Sequence, residues 1–288
     1  MDGGFSVALI DGDPLVYRAA FSVQKNMYII EKEGEPIFAS SRKKEVDDFI
    51  AANNITGASV ESRTFLEDDA EKKVLYNLRS MLEAIIEATE TNQYRLFLTG
   101  KGNFREDLDG SYKEGRAERP KLYTFAREAL EGDIMTDVIH GMEADDALAI
   151  EQCRREDSVI CSIDKDLLMI PGWHYNPVKD AFKYVTYSEG LLFFYKQILT
   201  GDRVDNIEGL AGIGPKRAEK ILAEFADKDL KDKEVEKEVW NTVVSAYEEK
   251  GRTREDAVRN ARLLWMVREL DEEGNPVMWN PPDGGEDD

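Results

Sequence analysis

Two short apolar runs each stop at a carboxylate. Residues 5–10 (FSVALI) lead straight into Asp11, and residues 158–163 (SVICSI) lead into Asp164. Runs this short, apolar without alternation, predict strands buried on both faces, as in a parallel sheet. Between them lie further strand-like stretches at 94–99 and 134–139, and a weaker one follows at 182–186. Helical stretches intervene at 14–21, 122–130 and 144–155. Residues 68–90 carry Val74, Leu75, Leu78, Leu82, Ile85 and Ile86 at helical spacing. Residues 27–38, with Gly34 and Pro36 inside, predict a hairpin insertion. Strand–helix alternation of this kind specifies an α/β layer fold with a largely parallel sheet and flanking helices. From about residue 188 the chain reads as helical, so two regions are expected: 1–187 and 188–288.

The net charge of −21 argues, taken alone, against binding a polynucleotide, because phosphates need Lys and Arg. The charge is unevenly spread, however. Residues 281–288 form an acidic tail, expected to be disordered, and other acids cluster at strand ends. No apolar run approaches the ~20 residues of a membrane span. No basic stretch leads into a long apolar one, and a cytoplasmic chain without a membrane partner is expected. Cys153 and Cys161 are expected as free thiols, and His140 and His174 complete no zinc-type spacing.

In open α/β sheets, ligands bind beyond the carboxyl ends of the strands. Asp11 and Asp13 follow the first strand, and Asp164 and Asp166 (SIDKD) follow another. Glu143, Asp145 and Asp146 (MEADD) open a helix after residues 134–139, and Asp202 and Asp205 (GDRVD) precede a glycine-rich turn. Brought to one edge, these acids would raise one another's pKa values unless cations intervened. Hard ions such as Mg²⁺ or Mn²⁺ suit such oxygen donors, and two of them together can hydrolyse a phosphodiester. First-turn acids also serve a helix macrodipole, which accounts for Glu143, Asp145 and Asp146 without any metal.

Residues 209–222 (GLAGIGPKRAEKIL) place Gly212 and Gly214 before a helix that starts at Pro215. Glycines allow close approach of a ligand, proline suits the first helical position, and exposed N–H groups there attract phosphate. Lys216 and Arg217 add positive charge. This helix-hairpin-helix pattern grips a DNA backbone without reading bases. Residues 101–121 are basic and aromatic, with Arg105, Lys113, Arg116 and Tyr112 among them, and are expected to lie over the acidic edge and meet a strand.

Together, ALIDGD (8–13), FREDLDGSYKEGR (104–116), MEADD (142–146), SIDKD (162–166) and LTGDRVDNIEGLAGIGPKRA (199–218) resemble the flap endonuclease and 5′–3′ exonuclease family, in its stand-alone phage form. The resemblance implies a PIN-like α/β nuclease with a helical arch at about 101–125. It implies two Mg²⁺ or Mn²⁺ ions on Glu143, Asp145, Asp146, Asp164, Asp166, Asp202 and Asp205, with Asp11 contributing directly or through water. Lys113 and Arg116 match arch residues that meet the scissile phosphate, and Tyr17 loosely matches an aromatic residue near a terminal base. The hairpin of this family often holds K⁺. Thr99 and Gly100 stand where the family commonly has an acid; water, Asp107 or Asp109 are the alternatives there. The implied substrate is DNA with a 5′ end or flap, or an RNA–DNA hybrid, cut by a monomer. A catalytically weak DNA-junction binder and a PIN-like ribonuclease are the competing readings.

Overall fold

The computed structural model describes residues 4–115 and 118–284. In chain order the first elements are β1 (Val7–Asp11), α1 (Gly12–Ser22), β2 (Gln24–Lys32), β3 (Glu35–Ser40), α2 (Lys43–Ala52), β4 (Ser59–Leu66), α3 (Ala70–Thr89), β5 (Tyr94–Asn103), α4 (Phe104–Leu108) and α5 (Tyr123–Glu131). There follow β6 (Thr136–Gly141), α6 (Ala144–Cys153), β7 (Ser158–Cys161), β8 (Gly172–Asn176), β9 (Ala181–Val185) and α7 (Tyr187–Thr200). The chain ends with β10 (Gly201–Asp202), β11 (Ile207–Glu208), α8 (Pro215–Ile221), α9 (Lys233–Glu248) and α10 (Arg254–Leu264).

The chain divides into two compact units, and the division does not fall near residue 188. One unit takes residues 1–14, 82–118 and 131–288; the other takes 15–81 and 119–130. The helical C-terminal region therefore belongs to the same unit as the large sheet. The reason is packing: α7, α9 and α10 share a core with α6 and the sheet through Leu148, Ile160, Phe194, Ile198, Trp240 and Tyr247. Tyr247 Oη donates to the Ile198 carbonyl (2.7 Å) and accepts from Asn260 Nδ2 (2.8 Å), which ties α7, α9 and α10 together.

In the first unit, six strands run in the order β6-β5-β1-β7-β8-β9. All neighbours are parallel except β8 and β9. The largely parallel α/β sheet expected from the sequence is thus present. Every residue of β1 is buried, as its unbroken apolar run requires of a central strand. Because β6, β5, β1 and β7 are parallel, the residues that follow them all emerge at one edge. Gly12 lets α1 begin directly after β1: a Cβ there would lie 2.5 Å from Leu96 Cδ2 and 2.8 Å from the Phe97 carbonyl oxygen.

The second unit holds the antiparallel sheet β3-β2-β4 with α2 beside it. The expected hairpin is β2–β3, and Phe38 stacks on Phe49 of α2 at 4.2 Å. Within the span expected as an arch, the described residues hold the short α4, turns at 110–115, and the start of α5. Part of the acidic tail is packed rather than loose. Asp283 pairs with Arg254 at 2.8 Å, and just before the tail Trp279 is buried against Trp240 at 5.0 Å. Residues 285–288 lie outside the described residues.

His174, on β8, is buried with Nε2 2.8 Å from the Ile170 carbonyl. Burial pulls its pKa from 6.5 down to about 4, Lys183 adding to the effect. A depressed folded pKa means that its neutral form contributes stability above pH 6.5, lost as pH falls toward 4. We expect His174→Gln to lose less stability than wild type between pH 7 and pH 4, by up to about 3 kcal/mol, measured by urea unfolding across that range.

Candidate functional site

Most of the predicted acids meet in one cleft at the carboxyl edge of the large sheet. Glu143, Asp145, Asp164, Asp166, Asp202 and Asp205 all line it. Asp11, the last residue of β1, is buried and does not line it; it accepts from Ser162 Oγ at 2.6 Å. Burial pushes Asp11 up to about 8; the charges of Asp13 and Asp164 add to this, and the Ser162 hydroxyl opposes it. Asp145 is driven well above the usual carboxylate range by burial, with Asp11, Asp164 and Glu143 repelling it. Burial and the Asp164 charge push Asp166 up to about 7, and Asp202 contributes in the same direction.

Local geometry explains how these side chains are held. The loop after β7 is a ladder: Asp164 N–H donates to Ser162 Oγ (2.9 Å), and Asp166 N–H donates to Asp164 Oδ1 (2.8 Å). Gln197 of α7 donates to Asp166 Oδ1 at 2.6 Å. Asp202 Oδ1 accepts from Val204 N–H at 2.7 Å. The β10–β11 hairpin carrying Asp202 depends on two glycines. Gly201 has φ +65°, and a Cβ on it would stand 2.2 Å from the Gly209 nitrogen; one on Gly209 would stand 2.1 Å from the Thr200 carbonyl.

Lys113 brings a cation into the acids. Its backbone is left-handed (φ +59°), and its N–H donates to the Asp205 carbonyl at 3.0 Å. Its ammonium donates to Glu143 Oε1 and lies 3.8 Å from Asp205 Oδ2. Glu143 also accepts from Asn103 Nδ2 at 2.9 Å. The Tyr112 hydroxyl reaches Asp205 at 3.2 Å and Glu143 at 3.4 Å. Sequence reasoning missed Asn103, Ser162 and Gln197. Only Ser162 carried a signal, its place between a strand and SIDKD.

Several expectations need correction. Asp146 is fully buried and turned away from the cleft: Arg105 donates to both its oxygens at 2.7 and 2.8 Å, and the backbone N–H groups of Val267 and Glu143 add 2.9 and 3.1 Å bonds. These four hydrogen bonds occupy both its oxygens, and it does not line the cleft. Arg105, expected on a nucleic acid strand, is buried with it and donates onward to the carbonyls of Leu263 (2.9 Å) and Trp265 (2.5 Å). Tyr112 is likewise buried, as a hydroxyl donor to the acids rather than a stacking surface. Tyr17 lies in the other compact unit, its ring 4.9 Å from that of Tyr123. Asp109 pairs with Arg259. Thr99, where an acid was expected, donates its N–H to Asp13 (3.2 Å), while its hydroxyl accepts from the Ala144 N–H (3.0 Å). Arg116 lies outside the described residues.

The glycine-rich turn is present. Gly212 is left-handed (φ +76°), and Gly214 precedes Pro215 at the first position of α8. Lys216 is exposed; Arg217 folds back so that Nη1 donates to the Gly212 carbonyl at 2.8 Å. Among the described residues no three His, Cys, Asp or Glu side chains form a ready-made ligand set. The donors of the cleft are nonetheless all carboxylate oxygens whose mutual repulsion a hard divalent ion would relieve, so their chemistry fits Mg²⁺ or Mn²⁺.

No family model matches the chain. Over 172 residues, 53% of the chain, it is 32% identical to DNA polymerase I of Rhizobium leguminosarum, covering 17% of that protein. Over 165 residues it is 27% identical to the 5′-3′ exonuclease of Mycoplasmopsis pulmonis, covering 51% of this chain and 56% of that one. It thus spans only part of the curated relatives it matches. Among solved structures, the T5 D15 protein crystallised with metal ions aligns over 90% of this chain and 88% of its own, with a TM-score of 0.55 at 17% identity. The chain shares the fold of the T5 nuclease. A T5 D15 flap endonuclease in complex with DNA and metal ions aligns with a TM-score of 0.54 at 16% identity over 90% of this chain and 88% of that one. The resemblance first read from five sequence motifs is therefore matched by relatives named 5′-3′ exonuclease and DNA polymerase I and by the PIN-like fold.

Breaking a buried ion pair strands its other member, at about 3–5 kcal/mol. We expect Asp146→Ala to destabilise the protein by that amount in urea unfolding with chelator present. Asp145→Asn, which removes a repelled charge, should leave stability unchanged or raised; a comparable loss in both variants would contradict the assignment.

Proposed function

We propose that this chain is a metal-dependent 5′-nuclease that hydrolyses phosphodiester bonds of DNA, as a 5′–3′ exonuclease, a flap endonuclease, or both. The observation that carries it is the convergence of carboxylates from three separate segments on one cleft, with Lys113 among them, in the fold of the T5 exonuclease. Two Mg²⁺ or Mn²⁺ ions would be held by Asp11, Asp145, Asp164, Asp166 and Asp202, with Glu143 and Asp205 at the Lys113 side. Such ions supply an activated water and stabilise the departing oxygen.

The chain's own residues do the rest. Lys113, hydrogen-bonded to Glu143 and near Asp205, offers its ammonium to the non-bridging oxygens of a phosphate in the cleft, offsetting developing charge. Arg116 is proposed beside it. Tyr112 and Asn103 hold Glu143 in place beside Lys113. The turn at 209–214, with Gly212, Gly214 and Lys216, would hold a phosphate backbone without reading bases. K⁺ there would have to share the Gly212 carbonyl with Arg217. In this reading the region from residue 188 supplies the DNA grip and the sheet region supplies the chemistry. DNA with a 5′ end or flap is the proposed partner, an RNA–DNA hybrid a further one, and a cytoplasmic monomer the proposed state. Among the described residues no helix is long and apolar enough to cross a membrane.

The test is a labelled 5′-flap duplex incubated with Mg²⁺ or Mn²⁺. Short 5′ products are expected, none with EDTA, and none from Asp145→Asn or Asp164→Asn. Lys113→Ala should lower kcat by about 10²–10³-fold, the usual cost of one charge-stabilising donor. Binding of the flap without product in either metal would favour a junction-binding protein, a reading that Thr99 in place of an acid motivates. A DNA flap cut no faster than an RNA flap would favour a ribonuclease.

A further inference from the structure

A second concave site lies at the opposite edge of the large sheet, where β7 and β8 begin. It is walled by the end of α6, by Gly172 and Trp173 of β8, by Tyr184 of β9, and by the segment from Trp265 to Asn280. None of the acids of the cleft lines it.

Its central feature is Arg268. The guanidinium lies 4.3 Å from the centre of the Trp265 ring and 5.8 Å from that of Tyr187. Nη2 donates to the Met169 carbonyl at 3.0 Å, but Nε is buried with no acceptor. The side chain offers five N–H donors and uses one of them. No carboxylate among the described residues forms an ion pair with it. The acid that its field reaches, Glu236, is committed to the Tyr195 hydroxyl at 3.1 Å. Burial without a counter-charge pulls the Arg268 pKa down. Arg268 is half-buried and lines the groove, so the donors it leaves idle are open to an anion lodged there, the partner a guanidinium pairs with best. An anion carrying a flat apolar body also finds its surface here. Trp173 and Tyr184, paired across the β8–β9 hairpin, set their rings 5.3 Å apart at 64°, and Tyr184 is 53% exposed. Arg154 stands at the rim, 3.8 Å from its nearest acid, Glu151. Glu156 and Glu269 also stand there, and their charges disfavour a polyphosphate.

We propose that this groove binds a single nucleoside monophosphate unit, its phosphate on Arg268 and its base against Tyr184 and Trp173. Base stacking on exposed aromatics and a guanidinium–phosphate pair are the two interactions that the walls offer. The site is separate from the cleft, and its existence does not depend on the proposed hydrolysis.

Three tryptophans, Trp173, Trp265 and Trp279, line this groove and none lines the cleft, so intrinsic fluorescence reports on it selectively. The full chain is titrated with dAMP, deoxyadenosine and inorganic phosphate in EDTA. A saturable change with dAMP is expected, with deoxyadenosine and phosphate each binding more weakly. Arg268→Gln should weaken dAMP by about tenfold or more, the size of one hydrogen bond to a charged group, and Arg268→Lys by less. Tyr184→Ala should weaken dAMP while leaving phosphate unchanged. Because Tyr184 is exposed, this variant decides the matter even if Arg268→Gln fails to fold. Displacement of dAMP by a 5′-phosphorylated trinucleotide identifies the end of a strand as the source of the unit; failure to displace identifies the free nucleotide. No saturable change with dAMP, or an affinity untouched by Tyr184→Ala, overturns the proposal.

Discussion

The pairing of Arg105 with Asp146 organises the ground on which the acidic cleft is built. One guanidinium, buried just after β5, meets a carboxylate in the first turn of α6 and two carbonyls at the C-terminal end of α10. Asp146 in turn receives the Val267 N–H from that same C-terminal stretch. Three parts of the chain, far apart in sequence, are thereby fixed to one point. A buried ion pair of this kind is a poor source of net stability, yet it penalises any arrangement that separates its members. That penalty keeps α6 at the carboxyl edge of the sheet, and with it Glu143 and Asp145.

Against this fixed frame, the acids of the cleft are in conflict with one another. Asp11, Asp145 and Asp166 all have their ionisation opposed by burial and by neighbouring carboxylates. The hydroxyl of Ser162 and the amides of Asn103 and Gln197 restrain them without neutralising them. Lys113 is the cation hydrogen-bonded within the group, and it is held by its own left-handed backbone and by the Asp205 carbonyl. The site thus concentrates negative potential where the sheet provides rigid support, which is the condition under which a divalent ion gains most from binding.

How much of this could be read from the sequence depended on what each residue answers to. The central strands were legible because burial on both faces leaves β1 and β7 apolar except at one end of each, Asp11 and Ser158. β8 was not, since GWHYN mixes polar and aromatic residues and opens on a glycine at φ +120°, where a Cβ would stand 2.2 Å from Gln152. α2 was hidden by its charge: within KKEVDDFIAA only Val46 is buried. Glu143, Asp145 and Asp146 looked alike as acids at a helix start. Which of them faces the cleft is decided by rotation about α6 and by the distant Arg105, neither of which leaves a local mark. Near residue 188 a change of secondary structure is visible in sequence, whereas the core that α7 shares with the sheet is not.

The hairpin β10–β11 has a mechanical consequence. Asp202 and Asp205 stand on it, and the turn at 209–214 leaves directly from its second strand. The backbones at Gly201 and Gly209 cross so closely that no side chain fits between them. A connector this tight has no room for a hinge. Two of the cleft's acids and the start of the glycine-rich turn are thus carried on one short hairpin with no slack at its crossing point.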